Sequence, residues 1–122
     1  MTALVEIELE RRRQIEREGW TREHDDAHAK GELARAAACY CTGDTMTTRH
    51  PRRLGGPISV WPWSLSWWKP ADRRRNLIKA GALIVAEIER LDRAERQARE
   101  ENPEAVRRRV MQSRFGEPYF DN

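Results

Sequence analysis

Residues 72–92 read Asp72-Arg-Arg-Arg-Asn-Leu-Ile-Lys-Ala-Gly-Ala-Leu-Ile-Val-Ala-Glu-Ile-Glu-Arg-Leu-Asp92. Leu77, Gly81, Ile84, Ile88 and Leu91 recur at intervals of three and four, the period of one helix face. The spacing predicts a long helix over 72–101 that starts at Asp72 as N-cap and buries that face. Beyond Asp92 the pattern is charged or polar, so this helix is expected to leave the core there. Asn102-Pro103 stops it and opens a short helix over 103–114, with proline at the first helical position.

Upstream, residues 3–18 are good helix formers behind Thr2, and Gly19 ends them. Their apolar residues Leu4, Val5, Ile7, Leu9 and Ile15 form a thin stripe, which predicts light packing or a neighbouring subunit. A second helix is predicted over 22–42, with Thr21 as N-cap and a small, alanine-rich half from Leu33 to Cys41 that suits the core. Residues 43–70 carry Pro51, Gly55, Gly56, Pro57, Pro62 and Pro70, the signature of a long loop. Within it Ile58, Val60 and Trp61-Pro-Trp63 suggest a short extended piece. The tail 115–122 holds Phe115, Tyr119 and Phe120 and is expected to dock on its own domain or a second subunit. The fold class read from this pattern is all-α. One domain, 1–122, has three to four helices and a Trp-, Pro- and Gly-rich connection.

Composition narrows the function classes. The chain has 122 residues, 35% of them charged and 39% apolar, with no apolar run long enough to span a bilayer. No leader pattern opens it, so a cytoplasmic protein is expected. Cys39 and Cys41 stand two apart on different faces of a helix, which predicts reduced, partly buried thiols. The net charge is +3. All of it falls on residues 43–70, where Arg49, Arg52, Arg53 and Lys69 face Asp44 alone, and where four of the five tryptophans also lie. So small and local an excess argues against DNA binding and favours a small anionic ligand.

Two constellations could carry chemistry. His24-Asp25-Asp26-Ala-His28 with Glu32 would share one face of a continuous helix. Imidazoles and carboxylates so placed can bind a divalent metal or exchange protons. In that reading His24, Asp25, Asp26, His28 and Glu32 are catalytic, and Asp25, His28, Glu32 and Glu87 hold Mg²⁺ or another divalent ion. The alternative is an acid-rich first turn favoured by the helix dipole, its histidines solvated or bonded to Trp20 or a backbone carbonyl. The second constellation is Trp67-Trp68-Lys69-Pro70 leading into Arg73, Arg74 and Arg75. Flat aromatic faces beside guanidinium groups suit a nucleobase and its phosphates. The ligand set is Trp20, Trp67, Trp68, Lys69, Arg73, Arg74 and Lys79, with no cofactor. Lys79 could instead pair with Asp25 or Glu32, or snorkel at the edge of the core. The bland alternative for the whole loop is a tryptophan lid over a small core.

The strings Glu10-Arg-Arg-Arg-Gln-Ile-Glu-Arg-Glu-Gly-Trp-Thr-Arg-Glu-His-Asp-Asp-Ala-His28, Gly31-Glu-Leu-Ala-Arg-Ala-Ala-Ala-Cys-Tyr40, Trp61-Pro-Trp63, Trp67-Trp-Lys-Pro70 and the opening stretch resemble a family of small bacteriophage and prophage proteins. The resemblance covers residues 10–93 and implies a bacterial host cytoplasm, infected or lysogenic. A more distant likeness is to all-α nucleotide pyrophosphohydrolases of the MazG and dCTP pyrophosphatase type. It rests on Gly31-Glu-Leu-Ala34 and on tryptophans placed to sandwich a base, which would be Trp67 or Trp68. That family holds magnesium with an ExxE pair and an ExxD pair. Here no ExxE precedes Leu33, and Asn76 to Val85 carry Lys79 but no carboxylate. The expected function is therefore binding of a nucleotide or other phosphorylated ligand, in a phage setting the sequestration of a host defence signal. The competing expectations are metal-dependent nucleotide hydrolysis and inhibition of a host enzyme through Trp67 and Trp68. Helix 1 and the aromatic tail predict a homodimer or higher homo-oligomer.

Overall fold

The computed structural model of the protein describes residues 1–42 and 61–116. The expected extended piece at Ile58 and Val60 and the tail residues Tyr119 and Phe120 lie outside them. The described residues are all-α: α1 (Ala3–Glu18), α2 (Arg22–Asp26), α3 (Glu32–Thr42), a 3₁₀ turn (Leu65–Trp67), α4 (Arg73–Glu101) and α5 (Pro103–Phe115). The chain divides into two compact units, Met1–Ile88 and Glu89–Asn122.

In the first unit the sequence signals act locally as expected at most helix ends. The Thr2 hydroxyl accepts from the Val5 amide at 3.2 Å, and the Asp72 carboxylate from the Arg75 amide at 2.8 Å. Gly19 closes α1 with φ +74°, a left-handed conformation that costs glycine little, and the turn returns Trp20 to the core. The helix expected over 22–42 is two helices. Gly31 stands at φ +85°, and the Glu32 carboxylate takes the Lys30 amide at 2.7 Å. That side-chain acceptor starts a new helix, so His24 and Asp25 do not share a helix face with Glu32.

The core contains Trp20, Leu33, Ala36, Ala37, Cys39, Tyr40, Trp61, Ala80, Leu83 and Ala86. Large rings sit against small alanines, which lets α3 and α4 approach closely. The phase of α4 differs from the sequence expectation. Leu77, Ile84, Ile88 and Leu91 are 41%, 46%, 52% and 50% exposed, and the buried residues include Asn76, Ala80, Leu83 and Ala86. The aromatic cluster fills the volume on the alanine side, so the bulkier aliphatic face is left outward. Gly81 remains a packing position, because a Cβ there would lie 2.8 Å from Cδ1 of Ile7 on α1. Asn76 clamps the approach to α4, accepting from the Ala71 amide at 2.7 Å and donating to the Ala71 carbonyl at 3.1 Å.

Helix α1 is held by polar side chains, while Leu4, Val5, Leu9 and Ile15 of its apolar stripe stay exposed. Its buried residues are Glu10, Arg11 and Gln14. Arg11 donates to Asp25 of α2 and, at 3.3 Å, to the Trp20 carbonyl. In the second unit Asn102 caps α5, Gly116 closes it at φ +67°, and Arg114 reaches Asp92 at 3.2 Å and Glu95 at 3.1 Å.

Asp25 is fully buried, so Asp25→Ala leaves the Arg11 charge without that counter-ion. The expected loss is about 3–5 kcal/mol in urea unfolding, with part recovered in Arg11→Met/Asp25→Ala. A loss below about 1 kcal/mol, the range of surface pairs, would contradict a buried pair.

Candidate functional site

The face polar residues of α1 recur at Glu10, Arg13, Gln14 and Glu18, and α4 lays Arg75 and Lys79 opposite them. Together with Trp20, Tyr40, Lys69 and Ala71 they enclose a cleft of about 310 Å³. Its lining holds four cationic side chains and two carboxylates, a formal surplus of +2. Glu10 lies at its floor, 2% exposed. Arg13 donates to it at 2.9 and 2.8 Å and Gln14 at 3.2 Å, and Arg75 of α4 adds a further contact. Burial alone would raise the Glu10 pKa, yet these donors and the two guanidinium charges hold it below the ordinary carboxylate range. The Gln14 amide nitrogen is committed to Glu10, and its Oε1 is buried without a partner among the described residues.

Lys79 is half-buried in the same cleft. Its Nζ donates to the Lys69 carbonyl at 2.6 Å and stands 5.5 Å from the centre of the Tyr40 ring. Burial pushes its pKa down. Tyr40 accepts from the Lys69 amide at 3.2 Å, and burial pushes its phenol up to about 12. The Lys69 ammonium lies 3.6 Å from Glu18 and 5.5 Å from the centre of the Trp67 ring.

A second cleft of about 310 Å³ adjoins the first through Glu18 and Trp20, which line both. Its other walls are His24, His28, Trp63, Ser64 and Trp67. Trp20 and His24 stack with planes 3° apart and centres at 5.7 Å. Trp63 and Trp67 lean against Trp20 at 55° and 50°, with centres at 5.4 and 6.1 Å. The loop that carries them is held by Trp61, whose Nε1 donates to the Ser64 carbonyl at 3.0 Å. The Ser64 hydroxyl accepts from the Ser66 amide at 3.3 Å and opens the 3₁₀ turn. The Trp63 indole N–H is buried without a partner among the described residues. His28 Nδ1 lies 2.7 Å from the His24 carbonyl, which can only accept, so Nδ1 carries the proton.

The expected ligand residues separate into two groups. Trp20, Trp67, Lys69 and Lys79 line the clefts. Trp68 does not: it packs on Tyr40 and Trp61, with ring centres at 4.7 and 5.0 Å. Arg73 donates to the Cys41 carbonyl at 2.7 Å, and Arg74 embraces Glu6 of α1 at 2.8 and 2.6 Å. Both arginines lie outside the cleft linings and join helices.

Of the acid and histidine constellation, His24 and His28 line the tryptophan cleft, whereas Asp25 is committed to Arg11 and Glu32 to the Lys30 amide. Asp26 is exposed and Glu87 half-buried. Among the described residues no three His, Cys, Asp or Glu side chains come together in a group that could hold a metal ion. Asp25, His28, Glu32 and Glu87 therefore do not assemble. Cys39 and Cys41 form no disulfide among the described residues, and burial pushes the Cys39 thiol up to about 11. No helix among the described residues is long and apolar enough to cross a membrane.

Sequence reasoning passed over Glu10, Arg13, Gln14 and Glu18, although their spacing is a helical face. It is hard to see there because that face is polar yet buries Glu10 and Gln14, the reverse of the usual pattern.

Comparison with known protein families, characterised proteins and solved structures finds no match. The site must be read from its own chemistry.

Glu10 sets an acid limit on stability. Its folded pKa lies below the unfolded value of about 4.3, so its stabilisation is present above that pH and lost as pH falls through the folded pKa. Acid titration of urea stability should show a steep loss below about pH 4 in the wild type. Glu10→Gln should flatten that slope while lowering stability at pH 7. An unchanged slope would show that Glu10 is not the responsible group.

Proposed function

We propose that this protein is a binding module for a nucleotide-like phosphorylated ligand. The base would lie in the tryptophan cleft and the phosphate in the cationic one. The observation that carries the reading is the shared wall: one cleft presents flat rings, its neighbour carries a surplus of +2, and Glu18 and Trp20 belong to both. Each cleft reaches the lower end of the volume range of small-molecule sites, about 300 Å³, and together they match a ligand with two unlike ends. Trp67, 39% exposed, offers the open ring face, while Lys69 and Lys79 supply charges not locked in a bidentate carboxylate pair.

The likeness to phage and prophage proteins supplies a biological setting, sequestration of a phosphorylated host defence signal in the bacterial cytoplasm. Binding in place of hydrolysis is supported by where the acid and histidine constellation goes: Asp25 is held by Arg11 and Glu32 by the Lys30 amide, so His24 and His28 reach the tryptophan cleft without them. Self-association is part of the proposal, since Leu4, Val5 and Leu9 of α1 remain exposed.

Calorimetry against cyclic dinucleotides, ADP-ribose variants and dNTPs should find a ligand with Kd below about 10 μM, near −7 kcal/mol, and binding should persist in EDTA. Trp67→Ala should weaken it by about 1–3 kcal/mol, the worth of one base stack. Absence of any binder would overturn the proposal, and chelator-sensitive turnover would replace it with hydrolysis. Light scattering should return the mass of two or more chains, and a single-chain mass would remove the self-association.

A further inference from the structure

We infer that the base taken by the tryptophan cleft is guanine, an assignment that rests on the nucleotide reading above and adds its specificity. The polar groups left over after internal bonding in that cleft are mostly acceptors. Arg13 and Lys69 approach Glu18 at 3.2 and 3.6 Å, and both reach the same oxygen, Oε2. Among the described residues Oε1 has no partner. His28 uses its Nδ1 proton on the His24 carbonyl, so its neutral ring keeps Nε2 as a lone-pair acceptor. His24 Nδ1 faces the Asp25 carboxylate at 3.2 Å, which fixes a proton on Nδ1, so the neutral ring offers Nε2 as a second imidazole acceptor. Against these three acceptors stands one committed donor, the partnerless indole N–H of Trp63. The Ser64 hydroxyl, 3.0 Å from that of Ser66, can serve either way.

Base edges differ in this balance. The pairing edge of guanine offers donors at N1 and N2 and an acceptor at O6. Adenine offers one of each, and cytosine and uracil offer one donor and two acceptors. Guanine alone has donors in the majority, as this cleft requires. One of its adjacent N–H groups suits the open Oε1 of Glu18 and the other an imidazole Nε2, and its carbonyl suits the Trp63 N–H. A base presenting a lone pair to Glu18 would leave both groups unpaired in a half-enclosed site, which binding selects against. Stacking on Trp20 or Trp67 is open to every base and does not discriminate.

The test uses the wild-type protein with GMP, IMP, AMP, CMP and UMP, which share one phosphate and so hold the cationic cleft constant. Binding is read by calorimetry and by quenching of tryptophan fluorescence. GMP should bind at least about tenfold more tightly than AMP, CMP or UMP, about 1.4 kcal/mol. IMP, which lacks the N2 amine, should fall between GMP and AMP. In Glu18→Gln, checked for folding by circular dichroism, the GMP-to-AMP ratio should fall toward one while binding itself persists. Equal affinities across the wild-type series, or a preference for AMP, would overturn the guanine assignment and leave the nucleotide reading standing. No binding by any member, nor by the wider panel, would end both.

Discussion

A carboxylate buried between two helices organises the first unit. Glu10 of α1 takes hydrogen bonds from Arg13 and Gln14 on its own helix and is met by Arg75 of α4. A desolvated carboxylate costs several kcal/mol unless its lone pairs are filled, so α1 can occupy this position only with its donors in place. The same side chains then become walls of the cationic cleft. The packing that holds α1 on the protein and the surface that could receive a ligand are one set of residues. Arg74 with Glu6 extends the join in solvent, and Ile7 on Gly81 supplies its apolar contact.

The tryptophans divide by depth. Trp61 is buried, and its indole N–H closes the turn at Ser64. Trp68 rests against Trp61 and Tyr40 and extends the core. Trp63, as partly buried as Trp68, touches Trp61 and leans on Trp20, while Trp67 is exposed; with Trp20 the two line a cleft. The lid reading therefore describes Trp61 and Trp68, while Trp63 and Trp67 line a cleft. A short loop with proline at 62 and a 3₁₀ turn can present successive rings to opposite sides, as a continuing helix could not.

Legibility varied with the range of the interactions. The caps at Thr2, Thr21, Asp72 and Asn102 and the stops at Gly19 and Gly116 are local hydrogen bonds and backbone preferences, and they stand where their residue types point. The break at Gly31 was missed because the alanine-rich run beyond it extends a helical pattern, and the competing bond from Lys30 to Glu32 is visible only in three dimensions. The face of α4 was misjudged for a longer-range reason. Leu77, Ile84 and Ile88 form the stronger apolar pattern, but the rings of Trp20, Tyr40 and Trp61 need small neighbours and select the alanine side. Within the site, Trp20, Trp67, Lys69 and Lys79 were legible by residue type, whereas Arg73 and Arg74, equally eligible by type, serve as braces.

By itself the sequence determined that this chain is helical, where most of its helices begin and end, and that its aromatic rings and cationic groups are concentrated near one loop. Those properties depend on neighbours within a few positions. Tertiary structure alone decided which arginines are consumed by carboxylates, which tryptophans stay at a surface, and that α1 contributes a polar wall. These outcomes depend on pairs such as Arg75 with Glu10 and Trp63 with Trp20, separated by 65 and 43 residues. The partner of a charge or a ring at that distance is set by how the helices pack.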